Sequence, residues 1–459
     1  MRREGELAMR KRICVWLLPA IVLAGCGRGG DYRTQPPDPK ILHSAVQDLT
    51  NVIVYDIFSP PQASRAYAYA SVAAYEALRP DYASKYRTFA GQLNGLTPVP
   101  VPAPDSQYYL PLSSVHAFMT VGKALTFSSA RMDSLRKGID ERYRGMGMSD
   151  AVYNRSIAYG DTVAKHILAW AKKDNFLQTR GMPKYTVTSA AGRWVPTPPA
   201  YMDAVEPNWG KIRPFVLDSA GQFKAAAPHP FDTARTSAYY RELKEVHDVR
   251  QTLTDDQRAL TAFWDCNPYV MNVRGHAMFA TKKVTPGGHW MAIAGIASEK
   301  AKADMMQSAE AYARTAIALA DGFLTSWDTK YRTSMIRPET VINKYVDEAW
   351  EPLLQTPPFP EYTSGHSVIS NAAAVVLTDE YGPTFAFSDS SEMSYGLTAR
   401  SFPSFNSAAA EAAISRLYGG IHYRQSIEEG AKQGRKVGEL VVARVKTRTT
   451  GELAGLSSH

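Results

Sequence analysis

Cysteine is scarce in this chain, which has three in 459 residues: Cys14, Cys26 and Cys266. A framework of disulfides is therefore excluded as the source of stability, and no Cys/His spacing indicates zinc. The excess of positive over negative charge is also small. The net charge is +8, and residues 1–25 carry +3 of it, so the remainder carries about +5. This weak basic bias lacks long basic runs and argues against nucleic acid as a partner.

Long hydrophobic runs are equally rare. The most apolar segment, Ile13–Leu23, has about eleven residues, too few to span a hydrocarbon core of ~30 Å. It follows the basic residues 10–12 and ends in Leu23-Ala24-Gly25-Cys26. This arrangement is typical of an export signal rather than a membrane-spanning helix.

The end of the signal resembles a bacterial lipobox. We therefore expect residues 1–25 to be a lipoprotein signal peptide and Cys26 to become lipidated. The exported chain would face the periplasm, anchored at Cys26 in the outer membrane, and that anchor would be its sole membrane contact. An ordinary secretory signal with a chance cysteine is the alternative, and translation could start at Met1 or Met9. Oligomeric state is not indicated by any pattern.

Sustained β-alternation is rare as well, whereas apolar residues recur at helical spacing along most of the chain. The fold class predicted is all-α, with helical bundles packed together and long ordered loops between them. Helices are expected at residues 43–58, 62–78, 110–127, 130–145, 151–174, 233–249, 254–264, 289–324, 367–381, 406–418 and 425–447.

Composition divides the chain into a few parts. Residues 26–40, rich in Gly and Pro, are expected to form a flexible tether, and residues 451–459 a flexible tail. Between them, 41–450 is predicted to be a single all-α domain. Residues 176–232, dominated by Pro, Gly and aromatics, are expected to form a long ordered loop that wraps the helices. The chemistry-bearing motifs fall in the half at about 254–447.

The first motif is Lys330 followed seven residues later by Arg337-Pro338. It follows the long helix predicted at 289–324. Two basic side chains there could simply favour the helix dipole from solvent. Alternatively, Pro338 fixes the chain just past Arg337 so that both cations point to one place.

The second motif is Ser364-Gly365-His366, which begins an apolar helix after a Pro-rich loop. Backbone amides and the positive dipole end of a helix favour an anion at this position, and glycine permits close approach. The alternative is an N-cap serine beside a surface histidine.

The third motif is Ser415-Arg416 with His422 six residues after the arginine. Arg416 ends one predicted helix, Gly419-Gly420 makes a turn, and His422 opens the next helix. The alternative is a helical turn with a buried histidine. Taken together, the three motifs supply cations, hydroxyls, an amide and two imidazoles, which suit a multiply charged oxyanion such as phosphate or vanadate.

These motifs in this order resemble the signature of the superfamily of vanadium-dependent haloperoxidases and type 2 phosphatidic acid phosphatases. The resemblance covers residues 330–426. The segments Phe263-Trp264-Asp265 and Pro286-Gly287-Gly288-His289-Trp290 are similar to segments of exported bacterial haloperoxidase-like proteins, which extends the likeness to most of the chain.

The resemblance implies a role for each motif residue. The oxyanion would be bound by Lys330, Arg337, Ser364, Gly365, Arg416 and His422. His422 would be the axial ligand to vanadium, or the nucleophile of a phosphatase. His366 would act as the acid or base, and Lys330 would polarise the bound reactant.

Two departures from the superfamily signature and two aromatic residues help to distinguish the haloperoxidases from the phosphatases. Thr363 stands where the family has Pro, and Ser426 where the phosphatases have an Asp that charges the nucleophilic histidine. The latter departure favours the haloperoxidases. Trp327 and Phe359 match positions on the halide side of chloroperoxidase-type sites, although simple core packing explains them equally well. Asp265 is expected to pair with Arg416.

Three hypotheses result. The first is a vanadium-dependent haloperoxidase that uses vanadate and hydrogen peroxide to oxidise a halide to a hypohalous species. The second is an acid phosphatase that hydrolyses phosphomonoesters through a phosphohistidine in the same pocket. The third is a non-catalytic helical lipoprotein. The first implies vanadate as cofactor, with neither haem nor nucleotide.

Overall fold

The computed structural model describes Tyr32 and residues 36–449. The predicted signal, most of the predicted tether and the predicted tail lie outside the described residues, as does Cys26. The tether prediction is too long at its described end, because helix α1 begins at Pro39 with Asp38 as its N-cap. No described helix is long and apolar enough to cross a bilayer.

The predicted all-α fold is confirmed. The helices of the described region are α1 Pro39–Tyr55, α2 Pro60–Leu78, α3 Leu110–Leu125, α4 Ser129–Arg144, α5 Asp150–Ala171, α6 Phe176–Arg180, α7 Ala238–Thr252, α8 Asp255–Phe263, α9 Pro286–Lys300, α10 Met305–Thr333, α11 Pro338–Tyr345, α12 Gly365–Tyr381, α13 Phe405–Tyr418 and α14 Arg424–Arg444. Two antiparallel hairpins accompany them, formed by β1 Met271–Arg274 with β2 Ala277–Ala280, and β3 Phe387–Asp389 with β4 Arg400–Phe402.

The helices form two bundles that share α10. Helix α2 packs on α3, α5 and α10 in the first bundle, whereas α12 packs on α10, α13 and α14 in the second. One apolar core runs through both, from Ile41 to Val445. A smaller core joins α7, α11 and the junction of α13 with α14. Helix α10 is buried on nearly all sides. In agreement with this position, most side chains around its circumference are apolar or small.

The long helix predicted at 289–324 is wrong as one element. The chain breaks at residues 301–304, where Ala301 caps α9 and Lys302 adopts a positive φ of 53°. Asp304 then opens α10 with a capping box to Gln307. The apolar periodicity continues across the break, but the cap signal of Asp304 and Gln307 marks a new start. Helix α11 was not expected, and it begins at Pro338, where a missing backbone donor is tolerated.

Glycines in α14 bring it into direct backbone contact with α12. A Cβ on Gly434 would lie 2.0 Å from the carbonyl oxygen of Val368, and one on Gly438 would lie 2.7 Å from that of Ala372. Gly430 is similarly tight. Since these three glycines recur every four residues, they share one face of α14. This contact fixes the first half of α12 against the middle of α14.

The long loop at 176–232 is ordered, as predicted, although it contains the short helix α6. Its principal attachment is Asp321 on α10. The buried carboxylate accepts backbone N–H groups from Phe215 at 2.7 Å, Val216 at 2.7 Å and Leu217 at 3.0 Å. Burial raises the pKa of Asp321 to about 6 against the effect of these bonds, so the carboxylate is ionised at neutral pH.

Replacing Asp321 should therefore loosen the loop. The variant Asp321→Ala leaves three buried N–H groups without an acceptor, and we expect the free energy of unfolding to fall by at least about 3 kcal/mol. Urea denaturation measures this quantity. Glu439→Ala, at an exposed position of α14, is the control and should change stability by less than about 0.5 kcal/mol. Equal stability of the two variants would contradict the attachment.

Candidate active site

Lys330 is a fully buried cation of the site. It lies in the last turn of α10 rather than after it, which corrects the sequence-based placement. Its Nζ donates to the carbonyl oxygens of Pro360 at 3.0 Å and Glu361 at 2.9 Å. Burial, reinforced by the charge of Arg337, lowers the pKa of Lys330 well below its ordinary value. An anion beside it would reverse that shift.

Arg337 is the N-cap of α11 and is fully buried. Its Nε donates to Phe359 O at 2.9 Å and its Nη1 to Ile421 O at 2.8 Å. Nη1 also lies 3.3 Å from His422 Nε2, while Nη2 is buried without a hydrogen-bond partner. Burial lowers the pKa of Arg337 to about 10. The Arg337 guanidinium is thus held in place by hydrogen bonds from Nε and Nη1, while its Nη2 remains available to donate to an anion.

The start of α12 contributes the second motif. Ser364 is the N-cap, and its Oγ accepts from Ser367 Oγ at 2.9 Å. A Cβ on Gly365 would sit 3.5 Å from the Trp327 ring and 4.0 Å from Lys330 Cε, so the backbone here approaches the lysine closely. Helix N-terminal amides at such a position favour an anion.

His366 follows and is half-buried. It hydrogen bonds to the backbone of Trp264, whereas its Nε2 is buried without a partner. Burial, and then the charge of Arg416, lower its pKa well below the ordinary histidine value. The neutral ring therefore keeps one uncommitted nitrogen beside the cations.

Arg416 and His422 come from the turn between α13 and α14. Arg416 lies in the last turn of α13, where its Nε donates to Ser415 Oγ at 3.0 Å and its Nη2 to Trp264 O at 2.8 Å. Burial lowers the pKa of His422 well below its ordinary value, and the charges of Arg337, Lys330 and Arg416 act in the same direction. All three cations therefore surround this imidazole.

Sequence patterns missed Glu361, which holds His422 in place. Its Oε1 lies 2.7 Å from His422 Nδ1 and accepts the backbone N–H of Tyr423 at 3.0 Å. Ser426 Oγ is 3.4 Å from the same Nδ1. Burial raises the pKa of Glu361 to about 7. The available signal was an acidic residue alone in the Pro-rich stretch 357–362, three residues before Ser364.

Glu361 also overturns one inference from the sequence. Ser426 was taken to leave the histidine without a carboxylate, and this absence was used to favour the haloperoxidase branch. The structure supplies the carboxylate from a different segment. The departure at Ser426 therefore does not separate the two branches.

Asp265 does not form the ion pair predicted for it. Its carboxylate pairs with Lys283, while Arg416 Nη2 donates to the carbonyl oxygen of the neighbouring Trp264. Asp265 is still close enough for its charge to oppose the lowering of the pKa of Arg416. It acts on the arginine through space rather than by contact.

Trp327 and Phe359 form an aromatic wall against the cations. Their ring centroids are 4.9 Å apart. Lys330 Nζ is 5.1 Å and Arg337 Cζ 5.0 Å from the centroid of Phe359. The indole N–H of Trp327 donates to Val205 O at 3.2 Å, so the long loop covers this wall.

The predicted motif residues thus converge in one buried place, which we call the oxyanion cage: Lys330, Arg337, Ser364, Gly365, His366, Arg416 and His422. Its chemistry fits vanadate. The free Nη2 of Arg337 and the α12 amides suit anionic oxygens, and an imidazole nitrogen suits vanadium. No residue of the cage is acidic, so a bound oxyanion meets no repulsion within it.

Comparison with known proteins also indicates a site for vanadate. A family model described as the VCPO second helical-bundle domain matches residues 310–451. The crystal structure of a bacterial vanadium-dependent iodoperoxidase is 50% identical to this chain, with a TM-score of 0.85, covering 90% of this chain and 98% of that one. The chain belongs to the vanadium-dependent haloperoxidase family. No curated protein sequence matches it.

More distant structures show the same fold. The holo form of a bacterial vanadium-dependent chloroperoxidase is 17% identical with a TM-score of 0.60, covering 85% of this chain and 93% of that one. The apo form is 16% identical with a TM-score of 0.63, covering 84% and 94%. The predicted family, fold and enzyme class are confirmed, with vanadate as cofactor and hydrogen peroxide and halide as substrates.

The contact between Glu361 and His422 leads to a prediction about cofactor affinity. The variant Glu361→Ala frees the imidazole to rotate, and we expect orthovanadate to bind about 10- to 100-fold more weakly. Equilibrium dialysis with vanadium analysis measures the dissociation constant. Ser426→Ala removes a longer, neutral contact and should cost roughly threefold or less. Equal losses in the two variants would show that Glu361 has no special role.

Proposed function

We propose that this haloperoxidase oxidises iodide in the oxyanion cage, with His422 as the protein ligand to vanadium. One observation supports the ligand most strongly. Glu361 occupies His422 Nδ1, which leaves the lone pair on Nε2 beside Arg337. Burial favours the neutral ring, and a metal ligand must be neutral at the coordinating nitrogen.

The remaining cage residues take separate roles in this proposal. Lys330, Arg337 and Arg416 balance the negative oxygens of vanadate, together with the Ser364 hydroxyl and the Gly365 amide. Bound vanadate supplies a Lewis-acidic metal that activates hydrogen peroxide towards a halide. The cations keep their positions during the reaction because backbone carbonyls hold Lys330 and Arg337 in advance.

His366 is the proton-handling residue in this scheme. Its Nε2 is buried and has no partner, and its lowered pKa keeps it able to accept a proton at neutral pH. Hydrogen peroxide must lose a proton on binding, and the hypohalous product must gain one. A neutral imidazole at this point can perform both transfers.

Iodide is the halide that best suits the pocket. The relative that is 50% identical is an iodoperoxidase. The aromatic wall of Trp327 and Phe359 offers no hydrogen bond to replace lost water, so it favours the largest and most weakly hydrated halide. Iodide is also the most easily oxidised of the common halides.

Replacing the two imidazoles should separate binding from chemistry. With orthovanadate and hydrogen peroxide, we expect His422→Ala to lose both bound vanadium and iodide oxidation. His366→Ala should keep vanadium but lower kcat about 10²- to 10⁴-fold. Triiodide absorbance measures the rate, and parallel assays with bromide and chloride measure selectivity. His276→Ala, exposed in the β1–β2 turn, is the control.

Several outcomes would overturn this scheme. Faster oxidation of bromide than of iodide would disprove the halide assignment. Unchanged vanadium content in His422→Ala would disprove the ligand assignment. Hydrolysis of a phosphomonoester by the vanadate-free chain, without any halogenation, would instead favour the phosphatase hypothesis.

We also propose that the enzyme is exported and anchored by a lipid on Cys26. The supporting pattern is the short basic and apolar segment ending in Leu23-Ala24-Gly25-Cys26. Expression of the full chain in a bacterial host should place it in the outer-membrane fraction, and Cys26→Ser should release it or leave it unprocessed. Cys14→Ser is the matched control. Identical fractionation of all three chains would contradict the anchor.

A further inference from the structure

A second buried cluster, made of side chains that can bind a metal ion, lies outside the oxyanion cage. It contains Cys266, which follows α8, His289 in the first turn of α9, and Glu392, which follows β3. One ligand-type atom from each residue lies within 4.8 Å of the other two. Cys266 Sγ is 3.2 Å and Glu392 Oε1 3.4 Å from His289 Nδ1. The three residues are far apart in sequence, so their spacing along the chain gave no sign of the cluster.

The opposite side of His289 is held by Asp389. His289 Nε2 lies 2.7 Å from Asp389 Oδ2, and both side chains are completely buried. A carboxylate at this nitrogen accepts its N–H and leaves the other nitrogen, Nδ1, as the one available to a metal ion. This arrangement of carboxylate, histidine and metal is common around protein-bound metal ions. Nδ1 points to where Cys266 and Glu392 meet. Burial opposes protonation of His289, but Asp389 and Cys266 raise its pKa well above the ordinary value, so a metal ion binds here by displacing a proton from Nδ1.

Glu392 is incompletely satisfied. Its Oε1 is buried and makes no hydrogen bond among the described residues, and it lies at an ion-pair distance of 3.4 Å from His289 Nδ1. A buried carboxylate oxygen that accepts no hydrogen bond is costly. A cation between it and Cys266 would compensate both the carboxylate and a thiolate.

The spacing fits a small thiophilic ion. Zinc binds sulfur at about 2.3 Å and nitrogen or oxygen at about 2.0–2.2 Å, so its ligands are roughly 3–4 Å from one another. The separations of 3.2 Å from His289 Nδ1 to Cys266 Sγ and 3.4 Å to Glu392 Oε1 fall in this range. The mixture of sulfur, nitrogen and oxygen also suits zinc better than copper(I), which prefers soft ligands alone.

An ion could reach the cluster from solvent. A surface cavity of about 310 Å³ is lined by Glu392, Asp265, Lys283 and Tyr395, among others. On the other side, the Trp264 ring stacks on His289 with a centroid distance of 4.5 Å. Glu392 therefore joins the cluster to the cavity, whereas Cys266 and His289 are buried behind it, and the cluster shares no residue with the oxyanion cage.

We propose that Cys266, His289 and Glu392 bind one Zn²⁺ ion, with a fourth position open towards this cavity. Binding displaces the thiol proton of Cys266 and the Nδ1 proton of His289 to solvent, and it ties together three segments that are distant in sequence. Because the folded chain presents the site and the unfolded chain does not, the ion raises the stability of the protein. The proposal is independent of the halide, of the role of His366 and of vanadate binding.

The test uses the full chain without an affinity tag, carrying Cys14→Ser and Cys26→Ser so that Cys266 is the remaining thiol. The protein is stripped with a chelator, loaded with orthovanadate to occupy the oxyanion cage, and titrated with Zn²⁺ or Co²⁺. We expect one ion per chain, a thiolate-to-cobalt charge-transfer band, and a rise in Tm with Zn²⁺.

Variants decide whether the ion sits at this cluster. Cys266→Ser should lose the charge-transfer band, and Glu392→Gln should weaken binding at least about 10-fold. The second variant guards against misfolding, because glutamine has nearly the same size and shape as the glutamate that it replaces. His43 lies outside the cluster and hydrogen bonds to Tyr312, so the control variant His43→Gln should bind the metal ion as the parent protein does. An absent band in the parent, or equal affinity in Glu392→Gln and the parent, would overturn the proposal.

Discussion

Concentrated positive charge is the constraint on which this structure depends. Lys330, Arg337 and Arg416 are buried around His422, and Glu361 is the carboxylate that contacts this imidazole. Burial lowers the pKa of each of the three cations, so the cage is costly in the absence of an anion. Vanadate is therefore more than a catalytic cofactor. Its negative oxygens complete the electrostatic balance of the interior, and cofactor binding and stability are linked.

The arrangement of the helices holds the cations of the cage in place. The cage is assembled from helix ends: the last turns of α10 and α13 and the starts of α11 and α12. Such ends offer unpaired amides and defined directions for side chains. They must be held together by something other than the charges, which repel. The shared helix α10 and the glycine contacts of α14 at Gly434 and Gly438 perform this task through packing.

Linear patterns predicted the all-α class correctly, and they selected cage residues that the structure brings together, because each motif is local and lies at a helix end. They were insufficient wherever a partner comes from another segment. Glu361 meets His422 across 61 residues, and Asp265 pairs with Lys283 instead of Arg416. The break before Asp304 was missed because apolar periodicity persists through it. Periodicity reports the buried face of a helix, whereas capping reports its ends.

The loop at 176–232 is held partly through its peptide groups. Asp321 binds three of its amides, and Trp327 donates to the carbonyl of Val205. Peptide groups are the same whichever side chains they carry, so this part of the attachment does not restrict the sequence. Buried side chains such as Trp194 and Trp209 do restrict it. Sequence change that leaves the path of the loop intact is thus confined to exposed positions such as residues 186–191, where the surface can vary without disturbing the buried charges.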